Sequence, residues 1–294
     1  MTGDALLRVD KLTKEFPVRY LFRRNESVRA VDEVTFEVPR GIAVGLVGES
    51  GSGKSTTARC IMRLIEPTSG RIFFDGEDVT EVEGADKKRL RRQMQIVFQD
   101  PYSSLNPRMW VEDIISEGLR IHKLAATEEQ RHDKVAELLA LVGMETAHMR
   151  RKPSALSGGQ LQRIGIARAL AVDPKLLVCD EPVSSLDVSI QAQILNLFRE
   201  LQQSLKLTML FIAHDLATVR HLCEYIVVMR DGRVVEQGSR EQVYGDPQDP
   251  YTKELMAAVP VPDPALERER RDLRRRLAAA AFNSPTPNGA GPGR

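Results

Sequence analysis

Gly48-Glu49-Ser50-Gly51-Ser52-Gly53-Lys54-Ser55 fits the pattern G-x-x-x-x-G-K-[ST] without a mismatch. Upstream lies a short apolar run, Ile42–Val47, bounded by Gly41 and Gly48, which reads as a buried strand. Downstream, Thr56–Ile65 reads as a helix closed by Pro67. In that strand–loop–helix setting the glycines let backbone N–H groups turn inward around a phosphate, and the helix N-terminus adds its partial positive charge. Lys54 would reach the β- and γ-phosphates and Ser55 would offer its hydroxyl to Mg²⁺. The candidate nucleotide-binding set is therefore Gly48, Glu49, Ser50, Gly51, Ser52, Gly53, Lys54, Ser55 and Thr56.

A second apolar run, Leu176–Cys179, ends in Asp180-Glu181. Parallel α/β sheets bind ligands at the C-terminal ends of their strands, so two carboxylates there are placed for chemistry. Asp180 suits Mg²⁺, directly or from behind its ligands, and Glu181 suits polarisation of an attacking water. Further out, Leu6–Phe16 and Val28–Val38 alternate loosely and read as antiparallel strands around a basic loop, Arg19–Ser27. Arg71–Phe74, Met94–Phe98, Thr208–Ala213 and Tyr225–Met229 read as strands, and Asp231-Gly232 as a tight turn into Val234-Val235. Asp86–Arg92 and the stretch from Trp110 to Val142 carry helical patterns, and another helix holds Ile164, Ala167 and Leu170. Strands alternating with helices around buried runs indicate an α/β fold with a mainly parallel sheet.

Composition narrows the function. With 42 Lys+Arg against 41 Asp+Glu the net charge is +1, which drives the chain onto neither nucleic acid nor an anionic membrane. The basic run Lys87–Arg92 holds no aromatic residue on which a base could stack, and reads as a solvated helix face; no nucleic-acid partner is expected. Cys60, Cys179 and Cys223 form no C-x-x-C pair, which suits a reducing compartment. The N-terminal residues include Asp4, Arg8, Asp10 and Lys11 and show no signal-peptide apolar core. The apolar runs fall far short of the roughly 20 residues that span a bilayer.

Between the two carboxylates and the phosphate loop stands Leu156-Ser157-Gly158-Gly159-Gln160, followed by Leu161-Gln162-Arg163. It resembles the signature sequence of ATP-binding-cassette (ABC) ATPases. The resemblance covers about residues 6–262. It implies a phosphate-loop ATPase core with an antiparallel β subdomain and an inserted helical subdomain at about 100–165. Ser157, Gly158, Gly159 and Gln160 would then meet the γ-phosphate of ATP bound to the opposite subunit of a head-to-tail dimer. Gln99 matches the glutamine loop, a Mg²⁺ and water contact. Asp187, in Ser185-Leu186-Asp187, matches the loop that communicates across the dimer, and His214 the switch histidine at the γ-phosphate. Phe16 sits where the family stacks an aromatic on adenine, with Tyr20 and Phe22 as rivals. The catalytic set is thus Lys54, Gln99, Glu181 and His214, and the metal set Ser55, Gln99 and Asp180, with ATP and Mg²⁺ as the bound species.

Gln99-Asp100-Pro101-Tyr102-Ser103-Ser104-Leu105-Asn106-Pro107-Arg108 resembles the segment after the glutamine loop in oligopeptide, dipeptide and nickel importers. Asp249-Pro250-Tyr251-Thr252 through Pro264 resembles their C-terminal extension, with Asp249 where a histidine is usual. No cysteine follows Cys223, so the iron–sulfur cluster of some relatives is not expected. The resemblance divides the chain into an ABC domain at 1–245 and an importer-type extension at 246–282; leucines at helical spacing among arginines give the extension a helix at 268–276, and a Pro-, Gly-, Ser- and Asn-rich composition gives a disordered tail at 283–294. The resemblance implies an importer ATPase at the cytoplasmic face of the membrane. Its partners would be two permease subunits, a second ATPase (a related chain or a copy) and an extracytoplasmic solute-binding protein. An exporter subunit leaves the Asn106-Pro107 segment and the extension unexplained. A soluble chromosome- or ribosome-acting member would carry long coiled coils or two cassettes, and a phosphate-loop kinase leaves Ser157-Gly158-Gly159 unexplained.

Overall fold

The computed structural model describes residues 5–18 and 26–258. The expected tail at 283–294, the arginine-rich helix, and the rival aromatics Tyr20 and Phe22 lie outside those residues.

Two long strands open the chain, β1 (Ala5–Val18) and β2 (Glu26–Pro39), paired antiparallel as expected but longer than the alternation indicated. Then β3 (Ala43–Val47) enters the core, fully buried, and α1 (Lys54–Ile61) follows the phosphate loop. This helix begins two residues before the expected Thr56 because Gly53, at φ 98°, caps it. It ends well before Pro67 because Arg63 turns left-handed at φ 52° and its amide bonds back to the Cys60 carbonyl. After β4 (Ser69–Phe74), β5 (Glu77–Asp78) and α2 (Gly84–Gln93), the chain re-enters the core as β6 (Met94–Val97). The helical subdomain comprises α3 (Pro101–Ser104), α4 (Val111–Ile121), α5 (Glu128–Leu141) and α6 (Gly158–Leu170). The remainder alternates β7 (Leu176–Asp180), α7 (Val188–Leu205), β8 (Thr208–Ala213), α8 (Leu216–Val219), β9 (Tyr225–Arg230), β10 (Arg233–Ser239), α9 (Arg240–Gly245) and α10 (Pro250–Ala258).

Among the described residues these strands form two sheets. One runs β2-β1-β4-β5, antiparallel; the other runs β10-β9-β3-β8-β7-β6, parallel except for β10 at its edge. The parallel strands are sorted by their two-residue period. Val44 and Leu46 of β3, Leu176 and Val178 of β7, and Leu210 and Ile212 of β8 pack toward the antiparallel sheet. Ala43 and Val47, Leu177 and Cys179, and Met209 and Phe211 pack instead against the helices. A sheet covered on both sides explains why its strands are near-continuous apolar runs. The Asp231-Gly232 turn between β9 and β10 has both residues at positive φ, 48° and 82°, which suits a two-residue hairpin.

Candidate functional site

Because β3, β8, β7 and β6 are consecutive and parallel, everything that follows them emerges along one edge of the sheet. Val47 pairs with Ala213, Asp180 with Ile212 and Val97 with Cys179. The phosphate loop, His214, Glu181 and Gln99 leave those four strand ends, so residues scattered over the chain meet at one place.

The phosphate loop is shaped by walls as much as by its own glycines. A Cβ on Gly48 would lie 2.1 Å from the Met229 carbonyl oxygen, and one on Gly53 2.3 Å from that of Ala30. The Gly232 amide donates to the Ser52 carbonyl at 3.1 Å, tying the loop to the β9–β10 hairpin. Lys54 is 3% exposed; its Nζ donates to the carbonyls of Gly48 (2.6 Å) and Glu49 (2.7 Å) and to Ser52 Oγ (3.3 Å). Burial lowers this ammonium below the ordinary lysine value, opposed by the nearby Glu181, Asp180 and Glu49 carboxylates. A buried cation held by neutral oxygens fits an incoming polyphosphate, which would supply the full negative charge.

Ser55 Oγ donates to Asp180 Oδ1 at 2.7 Å, so the first helical turn after the loop and the end of β7 share one hydrogen bond. A hydroxyl and a carboxylate together form an all-oxygen donor pair of the kind a hard divalent cation takes. Glu181 stands next to it in a left-handed conformation, φ 48°, with its amide bonded to the Ile212 carbonyl at 3.1 Å. That region is sparsely used by non-glycine residues. His214 is exposed at the end of β8, its Nε2 3.2 Å from Asp215 Oδ2, while Asp215 caps α8 through the Thr218 amide. Gln99 is exposed after β6, and its carbonyl accepts from Ser185 Oγ at 3.1 Å, joining it to the segment that holds Asp187.

The other predicted residues have partners of their own. Ser157 and Gln160 form a reciprocal capping box at the start of α6, with Gln160 also beside His148 Nε2 at 3.5 Å. Gly158 packs by Leu186 and Tyr102, and Gly159 lies so close to α7 that a Cβ would be 2.6 Å from Ile190 Cγ2. Asp187 is exposed and precedes α7 without capping it through its side chain. Phe16 is 40% exposed on β1, with Lys14 Nζ 5.1 Å above its ring. Sequence reasoning missed a participant: Tyr251, buried in α10, accepts a hydrogen bond from the Glu49 amide at 2.9 Å. The Asp249-Pro250-Tyr251-Thr252 stretch was visible, but nothing in its pattern said that it touches the phosphate loop.

Comparison with known proteins agrees with this geometry. The family profile described as ABC transporter matches residues 31–184. The oligopeptide transport ATP-binding protein OppF of Bacillus subtilis is 54% identical over 245 residues, covering 83% of this chain and 80% of the relative. Its namesake from Streptococcus mutans is 49% identical over 262 residues, covering 88% and 85%. Among solved structures, the dimeric ATP-binding cassette MJ0796, in a post-hydrolysis state with ADP and Pi, superposes with a TM-score of 0.71 at 28% identity, covering 80% of this chain and 98% of that one. CbiO1 from Clostridium perfringens, part of the ABC transporter complex CbiONQ, superposes with a TM-score of 0.72 at 26% identity, covering 95% and 100%. The strand-end cluster, the signature helix and these likenesses agree: the chain belongs to the ABC transporter family, as one of its ATP-binding, ATP-hydrolysing subunits.

Proposed function

We propose that this chain is the ATPase subunit of a peptide importer and that ATP hydrolysis takes place at the ends of β3, β8 and β7. The observation that carries the chemistry is the Ser55–Asp180 hydrogen bond of 2.7 Å, which brings loop and carboxylates within one site. The peptide cargo is supported by relatives named for oligopeptide transport at 54% and 49% identity, and by the Gln99–Arg108 and Asp249–Thr252 stretches.

In this reading Lys54 leaves its carbonyl partners for the β- and γ-phosphates, while the inward loop amides hold the β-phosphate. Ser55, Asp180 and Gln99 would hold Mg²⁺, which neutralises charge on the phosphate oxygens. Glu181 polarises the attacking water, and His214 meets the γ-phosphate. Ser157–Gln160 and Asp187 serve the nucleotide of a second cassette in a head-to-tail dimer. Phe16 stacks on adenine. Two permease subunits and an external solute-binding protein complete the importer, with this chain peripheral at the cytoplasmic face; among the described residues no helix is long and apolar enough to cross a membrane.

Two variants test the assignment. Glu181→Gln should retain ATP affinity, lose about 10²-fold or more in turnover and accumulate closed dimer, since a positioned base contributes roughly 10²–10⁴-fold. Lys54→Ala should weaken ATP binding itself. Normal turnover by Glu181→Gln in the assembled transporter would overturn the role of Glu181. Purification from gently solubilised membranes should bring down two permease chains and a solute-binding protein; a permease without one would favour export.

A further inference from the structure

Tyr251 lies 202 residues from Glu49 in sequence, yet its hydroxyl accepts the Glu49 amide hydrogen at 2.9 Å. Glu49 is the second residue of the phosphate loop, and the peptide unit in question is Gly48–Glu49. Its carbonyl, that of Gly48, accepts from Lys54 Nζ at 2.6 Å. In a trans peptide the C=O and N–H point opposite ways, so bonds at both ends define the plane. In the proposed reading of the site, Lys54 is the partner that an incoming phosphate would draw away, and Tyr251 the one it would leave in place.

The seat of Tyr251 is itself built. The residue is 3% exposed, and the Arg230 guanidinium lies 4.8 Å above its ring. Asp249 Oδ1 accepts the Tyr251 amide at 2.8 Å, so the aspartate found where histidine is usual supplies the turn that opens α10. The Glu236 carboxylate on β10 accepts the amides of Gln248 at 2.8 Å and Asp249 at 3.0 Å. The β9–β10 hairpin thus grips the loop twice, directly at Ser52 and through Tyr251 at Glu49.

We propose that Tyr251 is a positioning residue for ATP: its hydroxyl holds the Gly48–Glu49 peptide in the sense that keeps the carbonyl facing Lys54 and the loop open to phosphate. The inference rests on the reading of this loop as the ATP site.

The test compares full-length wild type with Tyr251→Phe, which keeps the ring and its packing and removes the acceptor. Loss of one buried acceptor should weaken ATP affinity about tenfold. KM for ATP should rise with it while kcat is little changed, and the Glu49 amide should lose its protection from hydrogen exchange. Glu236→Ala, which loosens the first turn of α10 without touching the loop, should raise KM in the same direction by less. An unchanged KM in Tyr251→Phe, or a lowered kcat at constant KM with Glu49 still protected, overturns the proposal. If Tyr251→Phe does not fold, an unchanged KM in Glu236→Ala overturns it. Wild type that binds no ATP removes the reading of the site as well; wild type that binds, with unaltered variants, removes only the role of Tyr251.

Discussion

Each glycine of the phosphate loop answers a different physical demand, and substitution separates them. Gly48 and Gly53 are pressed against backbone carbonyls, at 2.1 Å and 2.3 Å from where a Cβ would sit, and carbonyl walls do not swing aside. Gly51, at φ 86°, has nothing within 4 Å of that position. Gly48→Ala and Gly53→Ala should therefore lose ATP binding and lower the thermal midpoint by many degrees. Gly51→Ala should carry only its backbone strain, about 1–2 kcal/mol, and retain binding. Calorimetry and nucleotide titration on the three variants check that order. The motif alone gives the same order, since it fixes Gly48 and Gly53 and leaves Gly51 as one of four free positions. At this scale Lys54, Ser55, Asp180 and Glu181 were legible because short motifs encode them. Met229, Ala30 and Tyr251 were not, because a carbonyl wall can come from any residue type, and a hydroxyl acceptor from any Ser, Thr or Tyr, that the fold brings near.

Among the elements, α6 shows how one residue holds two tasks. Ser157 caps the helix and is bonded in turn by Gln160, a box that was written in the spacing of Ser157 and Gln160. Ser157→Ala should cost about 1 kcal/mol of stability before any nucleotide is added, seen as a lower midpoint in nucleotide-free protein. Gly159→Ala should add a clash with Ile190 and loosen α6 from α7, which a drop in the same midpoint reports. The buried strands β3, β7 and β8 were read well because each is a near-continuous apolar run. Helix α7 passed unread although Ile194, Leu197, Phe198 and Leu201 recur at helical spacing and are buried. Its exposed first turn, Val188 above all, blurs the apolar stripe just where a reader looks for a start. For α1 the start was misplaced because a left-handed glycine cap carries no side chain to announce it.

Over the whole molecule, acid should weaken the ion pairs that join the two sheets. Asp75 follows β4 in the antiparallel sheet and pairs with Lys175, just ahead of β7, and with Arg40. Those hydrogen bonds, Lys175 first and then Arg40, hold its carboxyl below the usual aspartate range. Asp32 on β2 pairs with Arg233 on β10 at 2.5 Å and with Arg29, and is lowered chiefly by Arg233. A carboxylate with a depressed folded pKa stabilises above its unfolded pKa, about 3.9, and that contribution disappears as pH falls through the folded value. The thermal midpoint should thus be insensitive to these groups from pH 7 down to about 5 and fall below about pH 4. Asp75→Asn should melt earlier than wild type at pH 7, with the gap closing in strong acid. Sequence showed the two kinds of strand but not which strand ends would be joined by ions, since exposed charges carry no periodicity.

The hairpin and α10 that grip the phosphate loop also set a timetable for synthesis. A ribosome makes residues 48–55 well before Met229, Gly232 and Tyr251. Until then the loop has its sequence and not its walls. ATP stabilises only what it binds, so it offers no help to a chain that still lacks those walls and acts as a late clasp, closing on a subunit whose β9–β10 hairpin and α10 have already docked.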